Sequence, residues 1–214
     1  AVNGNLIFLT DRFNHQVTVF TINGQYVNKW GTEGSAEGQF KEPGDIVVEG
    51  NTVFVIDTGN NRVQIFGLGG TFQSAWGSLG DGEKQFNRPT GIGVEKNTVY
   101  VVDTGNHRVQ FFTRQGTFIG EWGLKGVGTG NFIEPSSVSV GNNRVYVTDT
   151  GNDRIQIFGL GGSFLEEWGN EGFGEGLFQK PIGIEVQGLT TYVIDQVNEQ
   201  MQMFGLGGQF QESW

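Results

Sequence analysis

The sequence predicts an all-β chain built from five copies of one four-stranded unit, and three observations predict it. An aspartate-led block recurs with no insertion: Asp11, Asp57, Asp103, Asp149 and Asp195 lie 46 residues apart. Trp30, Trp76, Trp122, Trp168 and Trp214 keep the same step, as do Pro43, Pro89, Pro135 and Pro181. Each period divides into short β-branched or alternating runs between glycine- and asparagine-rich turns, and no stretch has a capped helical period. An unbroken period of this length is the mark of a copied structural unit.

Residues 43–76 show how one copy reads. Pro43 opens a run through Asp45-Ile-Val-Val-Glu49, and Gly50-Asn51 turns the chain. Thr52-Val-Phe-Val-Ile56 is apolar on both faces, as a strand covered on both sides requires. Asp57-Thr-Gly-Asn-Asn61 is the second turn, and Arg62-Val-Gln-Ile-Phe66 alternates with period 2. Gly67-Leu-Gly-Gly70 is the third turn, a hairpin rather than a phosphate loop, since no Gly-Lys-Ser/Thr follows. Thr71-Phe-Gln-Ser-Ala-Trp76 is the outermost strand.

A glycine-rich crossover must then carry the chain from the outer edge of one sheet to the inner edge of the next. Phe40, Phe86, Phe132 and Phe178 fall at one position in it and are expected to pin it to the adjacent sheet. Small residues alternate with apolar ones on the innermost strand (Gly91/Gly93, Ser137/Ser139), which suits blades converging on a hub. A radially repeated meander with outer-to-inner connections is a β-propeller. The expected domain is single, 1–214, with blade units near 1–30, 43–76, 89–122, 135–168 and 181–214.

Composition bounds the function. Thirteen basic against 23 acidic residues give a net charge of −10, which argues against nucleic acid and anionic membrane as partners. No run approaches the ~18 apolar residues of a membrane span. Cysteine is absent, so thiolate chemistry and Cys-type zinc sites are excluded. The chain opens at Ala1 in mid-repeat, as expected of a processed or cropped piece of a longer protein.

The residues Pro89-Thr-Gly-Ile-Gly-Val, Val99-Tyr-Val-Val-Asp103-Thr-Gly-Asn-His-Arg108-Val-Gln-Phe-Phe112 and Gly116-Thr-Phe118 resemble the NHL repeat, and the resemblance recurs five times. It implies a propeller, usually of six blades, that serves as a binding platform. Some related propeller lyases are metal enzymes that depend on several histidines near the hub.

The acid, amide and guanidinium of Asp57/Asn60/Arg62 repeat as Asp103/Asn106/Arg108 and Asp149/Asn152/Arg154. A catalytic group is rarely needed in every copy, so these sets are expected to be structural: turn hydrogen bonds for Asp and Asn, a forked salt bridge for Arg. His15 and His107, two periods apart, share the slot of Asn61 and Asp153 and are too few for a hub metal site. Asp45 and Glu185 fall on innermost strands and could face a channel, but calcium wants about 6–8 oxygen ligands. No catalytic set, metal site or cofactor is expected. Function should sit where the copies differ. The loop candidates are Phe13, His15, Arg88, Arg114, Phe173, Val197 and Glu199. For Phe13 and Phe173 the general burial of phenylalanine favours local packing.

The first and fifth copies are degenerate, with Gln16 and Gln200 in the arginine slot. Either the chain closes as a five-bladed ring or it is five-sixths of a six-bladed one. The expected function is a non-enzymatic interaction or structural scaffold, outside the cell or at its surface, with a protein or glycan partner or through self-association. The alternatives are a hub-metal lyase or lactonase and a subunit of a homo-oligomeric or filamentous assembly.

Overall fold

A computed structural model describes residues 1–214. The first blade comprises β1 (Val2–Asn3), β2 (Leu6–Asp11), β3 (Gln16–Thr21) and β4 (Tyr26–Trp30); the second comprises β5 (Pro43–Glu49), β6 (Thr52–Asp57), β7 (Arg62–Gly67) and β8 (Phe72–Trp76). A crossover pairs β9 (Ser78–Leu79) with β10 (Gln85–Phe86) in parallel. The third blade comprises β11 (Gly91–Glu95), β12 (Thr98–Asp103), β13 (Arg108–Thr113) and β14 (Phe118–Trp122). The fourth has β15 (Val138–Gly141), β16 (Arg144–Asp149), β17 (Arg154–Gly159) and β18 (Phe164–Trp168). The fifth has β19 (Pro181–Gln187), β20 (Thr190–Asp195), β21 (Gln200–Gly205) and β22 (Phe210–Ser213). Within every blade the strands run in sequence order, so the expected meander is the observed one, a five-blade four-stranded propeller.

The chain divides into two compact units, Ala1–Ile92 and Gly93–Trp214. In the first, Phe8, Val17 and Val19 on one face of the first blade pack with Val53, Val55 and Phe66 of the second, and the crossover residue Phe40 joins them. Side chains alternate along each strand, so the opposite face of the first blade carries Ile7, Leu9, Asp11, Gln16, Thr18 and Phe20. In the second unit, one cluster centres on Tyr100, Val109, Phe132, Val145 and Phe158, another on Tyr146, Ile155, Phe178, Val193 and Phe204. Large rings fill these cores: Phe132 lies 5.6 Å from Phe158 and Phe178 lies 5.7 Å from Phe204.

The turn after each Asp is tighter than a simple hairpin. Thr58–Asn60, Thr104–Asn106 and Thr150–Asn152 form single 3-10 turns. They end on Asn61, His107 and Asp153 in the left-handed region, with φ of 53, 56 and 52°. Asn and Asp tolerate that conformation at little cost. In the crossovers, Gly123 has φ +99°, and a Cβ there would stand 2.5 Å from the ring of Phe132. Only glycine lets the backbone pass this close.

Candidate functional site

The repeated Asp-Asn-Arg set is a clamp on the crossover. In the second blade, Asp57 is fully buried; its Oδ2 accepts from Arg62 Nε at 2.7 Å, Asn60 Nδ2 at 2.9 Å and Gln64 Nε2 at 3.0 Å, and its Oδ1 accepts from the backbone of Lys41 at 2.7 Å. The sequence reading expected a fork of Arg onto a carboxylate. Arg62 instead gives Asp57 only Nε and spends its terminal nitrogens on the carbonyls of Ser35, Ala36 and Gln39. The reason is geometric: the crossover's carbonyls lie where the second carboxylate contact would be. Asp149, Asn152 and Arg154 repeat the arrangement, with Arg154 donating to Gly128 and Asn131 and adding Glu167 at 2.9 Å. In the third blade, Asp103 accepts from Asn106 at 2.8 Å and Arg108 at 2.9 Å.

A fourth member went unnoticed in the sequence. Gln64, Gln156 and Gln202 are fully buried and bridge the crossover, each taking a backbone N–H (Gly38, Gly130, Gly176) and giving one to a carbonyl (Gln39, Asn131, Leu177). Its signal was in view, since a buried-strand glutamine at one register position in four copies needs a fixed partner.

The histidines belong to a second repeated contact. Nδ1 of His15 accepts the backbone N–H of Glu42 at 3.0 Å, and Nδ1 of His107 accepts that of Glu134 at 3.0 Å. Asn61 Oδ1 does the same for Arg88, and Asp153 Oδ1 for Lys180, both at 2.7 Å. A hub metal of the kind the NHL resemblance implies for lyases does not fit these residues. No three His, Asp or Glu side chains come together, and Asp45 spends both oxygens on the backbone N–H groups of Ile46 and Ile92. Glu185 stands at an exposed position on β19 with Ser139 Oγ 3.3 Å from its carboxylate. The protein around its carboxyl raises its pKa, and the Ser139 bond opposes that.

The remaining loop candidates are dispersed. Phe13 is 89% exposed and Phe173 74%, which corrects the expectation of local packing: each projects from a turn or crossover with no sheet facing it. Arg88 is exposed in the crossover before the third blade, Arg114 is partly buried in the β13–β14 turn, and Val197 and Glu199 are exposed in the β20–β21 turn. Phe13 opens onto a recess. A slot of about 460 Å³ is lined by Leu9, Thr10, Asp11, Arg12, Phe13, Thr18 and Phe20. It lies on the face of the first blade that corresponds to the crossover-bearing face of the second. Asp11 keeps its turn bonds, Asn14 N–H at 3.0 Å and Asn14 Nδ2 at 2.8 Å, which hold its pKa below the usual carboxylate range. Arg12 is paired with Glu42 at 2.5 Å.

Repeated four-stranded meanders joined by crossovers that the buried aspartates clamp, as Asp57, Asp149 and Asp195 do, define a β-propeller. The chain belongs to the DUF5128 family, described as 6-bladed beta-propeller, which matches residues 1–77 and 81–173. No curated protein matches the chain in sequence. Among solved structures it is similar to the nidogen/laminin complex, with a TM-score of 0.79 and 15% identity over 98% of this chain and 75% of that one. It is also similar to a catalytically inactive virginiamycin B lyase from Staphylococcus aureus with quinupristin, with a TM-score of 0.70 and 14% identity over 97% of this chain. The chain spans 65% of that lyase's length. A computationally designed protein gives a TM-score of 0.62 at 15% identity over 60% of its length. At these identities the likeness is one of fold.

Proposed function

We propose that the chain is a non-enzymatic, NHL-type propeller module that binds a protein partner outside the cell or at its surface. The observation that carries this reading is a division of labour among the repeats. The Asp-Asn-Arg-Gln groups that could do chemistry are consumed in holding crossovers, as in Asp57, whose two oxygens take four donors. Phe13 and Phe173, at positions where the blades differ, are exposed. An exposed phenylalanine beside an apolar recess is the surface a protein partner uses. The placement outside the cell draws on the acidic composition and on the likeness to nidogen. No helix is long and apolar enough to cross a membrane.

The second reading is a lyase, favoured by the fold likeness to virginiamycin B lyase. Incubation with quinupristin and millimolar magnesium, calcium or zinc separates the two. The interaction reading expects intact quinupristin by mass spectrometry and no metal-dependent rise in melting temperature. Turnover that a chelator abolishes would overturn it.

A further inference from the structure

We propose that His15 and His107 form an acid-sensitive latch: protonation of either ring releases the crossover that its Nδ1 holds, while the crossovers held by Asn61 and Asp153 stay shut. The device goes beyond what the propeller binds and does not depend on it.

The latched residue is equivalent in all four crossovers. Glu42, Arg88, Glu134 and Lys180 each precede a proline, and their φ angles of 49, 51, 48 and 58° lie in the left-handed region. That conformation is costly for a residue with a Cβ, and a following proline ring pushes its neighbour toward extended backbone instead. A side-chain acceptor from the preceding blade holds the N–H of each strained residue. His15 Nδ1 takes that of Glu42 at 3.0 Å, and Asn61 Oδ1 takes that of Arg88 at 2.7 Å. His107 Nδ1 takes that of Glu134 at 3.0 Å, and Asp153 Oδ1 takes that of Lys180 at 2.7 Å. Along the chain the acceptors run imidazole, amide, imidazole, carboxylate.

A ring nitrogen accepts an N–H only through its lone pair, so the latched imidazole is neutral and carries its proton on Nε2. Protonation places a hydrogen on Nδ1 that faces the hydrogen of the backbone N–H. The acceptor becomes a second donor, and repulsion replaces the bond. Histidine makes this change between about pH 5 and 8, where an amide has no proton to gain and an ordinary carboxylate still accepts. The two histidine bonds are therefore whole at neutral pH and lost as pH falls through the imidazole range.

The charges around His107 are mostly spoken for. On its own turn Asp103 and Arg108 are paired at 2.9 Å, and Glu121 of β14 joins Arg108 at 2.9 Å. In the fourth blade Asp149, which takes the N–H of Ile133, is closed on Arg154 at 2.7 Å. The crossover itself carries Lys125 and Glu134. Around His15 stand Asp11 and Arg12 of its turn, Lys29 of β4, Glu33, Glu37, Lys41 and Glu42 of the crossover, and the Asp57–Arg62 pair. Arg12 is paired there with Glu42 at 2.5 Å. None of these side chains accepts the N–H that a protonated ring gives up.

The test is a pH titration of the full, 15N-labelled chain by NMR from about pH 7.5 to about pH 5. The imidazole nitrogens of His15 and His107 should show a bare Nδ1 at the upper end. The backbone amide signals of Glu42 and Glu134 should then move with the midpoints of their own rings, and those of Arg88 and Lys180 should not. Hydrogen exchange, corrected for its intrinsic pH dependence, should rise about two- to tenfold in 31–42 and 123–134, the opening that one lost hydrogen bond allows. It should stay level in 77–88 and 169–180. His107→Asn, which installs the acceptor that Asn61 already supplies, should remove the response of 123–134 and leave that of 31–42, an internal control in the same molecule. A protonated Nδ1 at neutral pH would overturn the assignment. So would a Glu134 amide that ignores its ring, equal opening of all four crossovers, or a response at 123–134 that survives His107→Asn.

Discussion

The imidazole of His107 accepts the backbone N–H of Glu134 at 3.0 Å, occupying the place where Asp153 accepts that of Lys180 at 2.7 Å. The histidine is therefore one of several side chains that serve a repeated acceptor position. The first prediction follows from that equivalence. His107→Asn keeps an acceptor that tolerates the left-handed φ and should leave the melting temperature unchanged, whereas His107→Ala should lose about 0.5–1.5 kcal/mol, the net worth of one hydrogen bond. Urea denaturation of both variants checks it.

The buried aspartate is the clamp's centre. Asp149→Ala removes the acceptor of Arg154, Asn152, Gln156 and Ile133 N–H and leaves the guanidinium only the crossover carbonyls and the half-exposed Glu167. A loss of about 3–5 kcal/mol is expected, the range for breaking one side of a buried ion pair. Asp11→Ala, which gives up two exposed bonds from Asn14 and no arginine, should lose only about 0.5–1.5 kcal/mol. Equal losses at both positions would contradict the role of the crossover in the clamp.

Two crossover glycines separate close approach from backbone strain. Gly123→Ala puts a Cβ 2.5 Å from the Phe132 ring at φ +99°, while at Gly130, φ +76°, nothing lies within 4 Å. Gly130→Ala should cost about 1–2 kcal/mol of left-handed strain. Gly123→Ala should cost about 1–3 kcal/mol more through overpacking. Paired melting curves give the difference directly.

The crossover rings carry the blade seams. Phe178 is fully buried against Phe204 at 5.7 Å and Trp168 at 5.9 Å. Phe178→Ala should lose about 3–5 kcal/mol, and Phe173→Ala, five residues earlier but 74% exposed, should lose nothing measurable.

The period made the blades legible, because each strand boundary repeats and the turns cannot drift. The Phe178 pin was legible for the same reason: an aromatic kept at one crossover position needs a pocket. The form of the arginine contact was not, because the sequence does not show that the carbonyls of Ser35, Ala36 and Gln39 would reach Arg62 before a second carboxylate oxygen did. The exposure of Phe13 was not legible either. Burial of phenylalanine is an average over proteins, and whether a turn faces another sheet depends on what packs beside it.

The central claim is that interaction chemistry resides where the copies disagree. Mass spectrometry of quinupristin incubated with the full chain and millimolar magnesium, calcium or zinc tests it most directly. The account predicts intact quinupristin, because the repeated Asp57, Asp103 and Asp149 groups are held in the scaffold. Turnover that a chelator abolishes would contradict it.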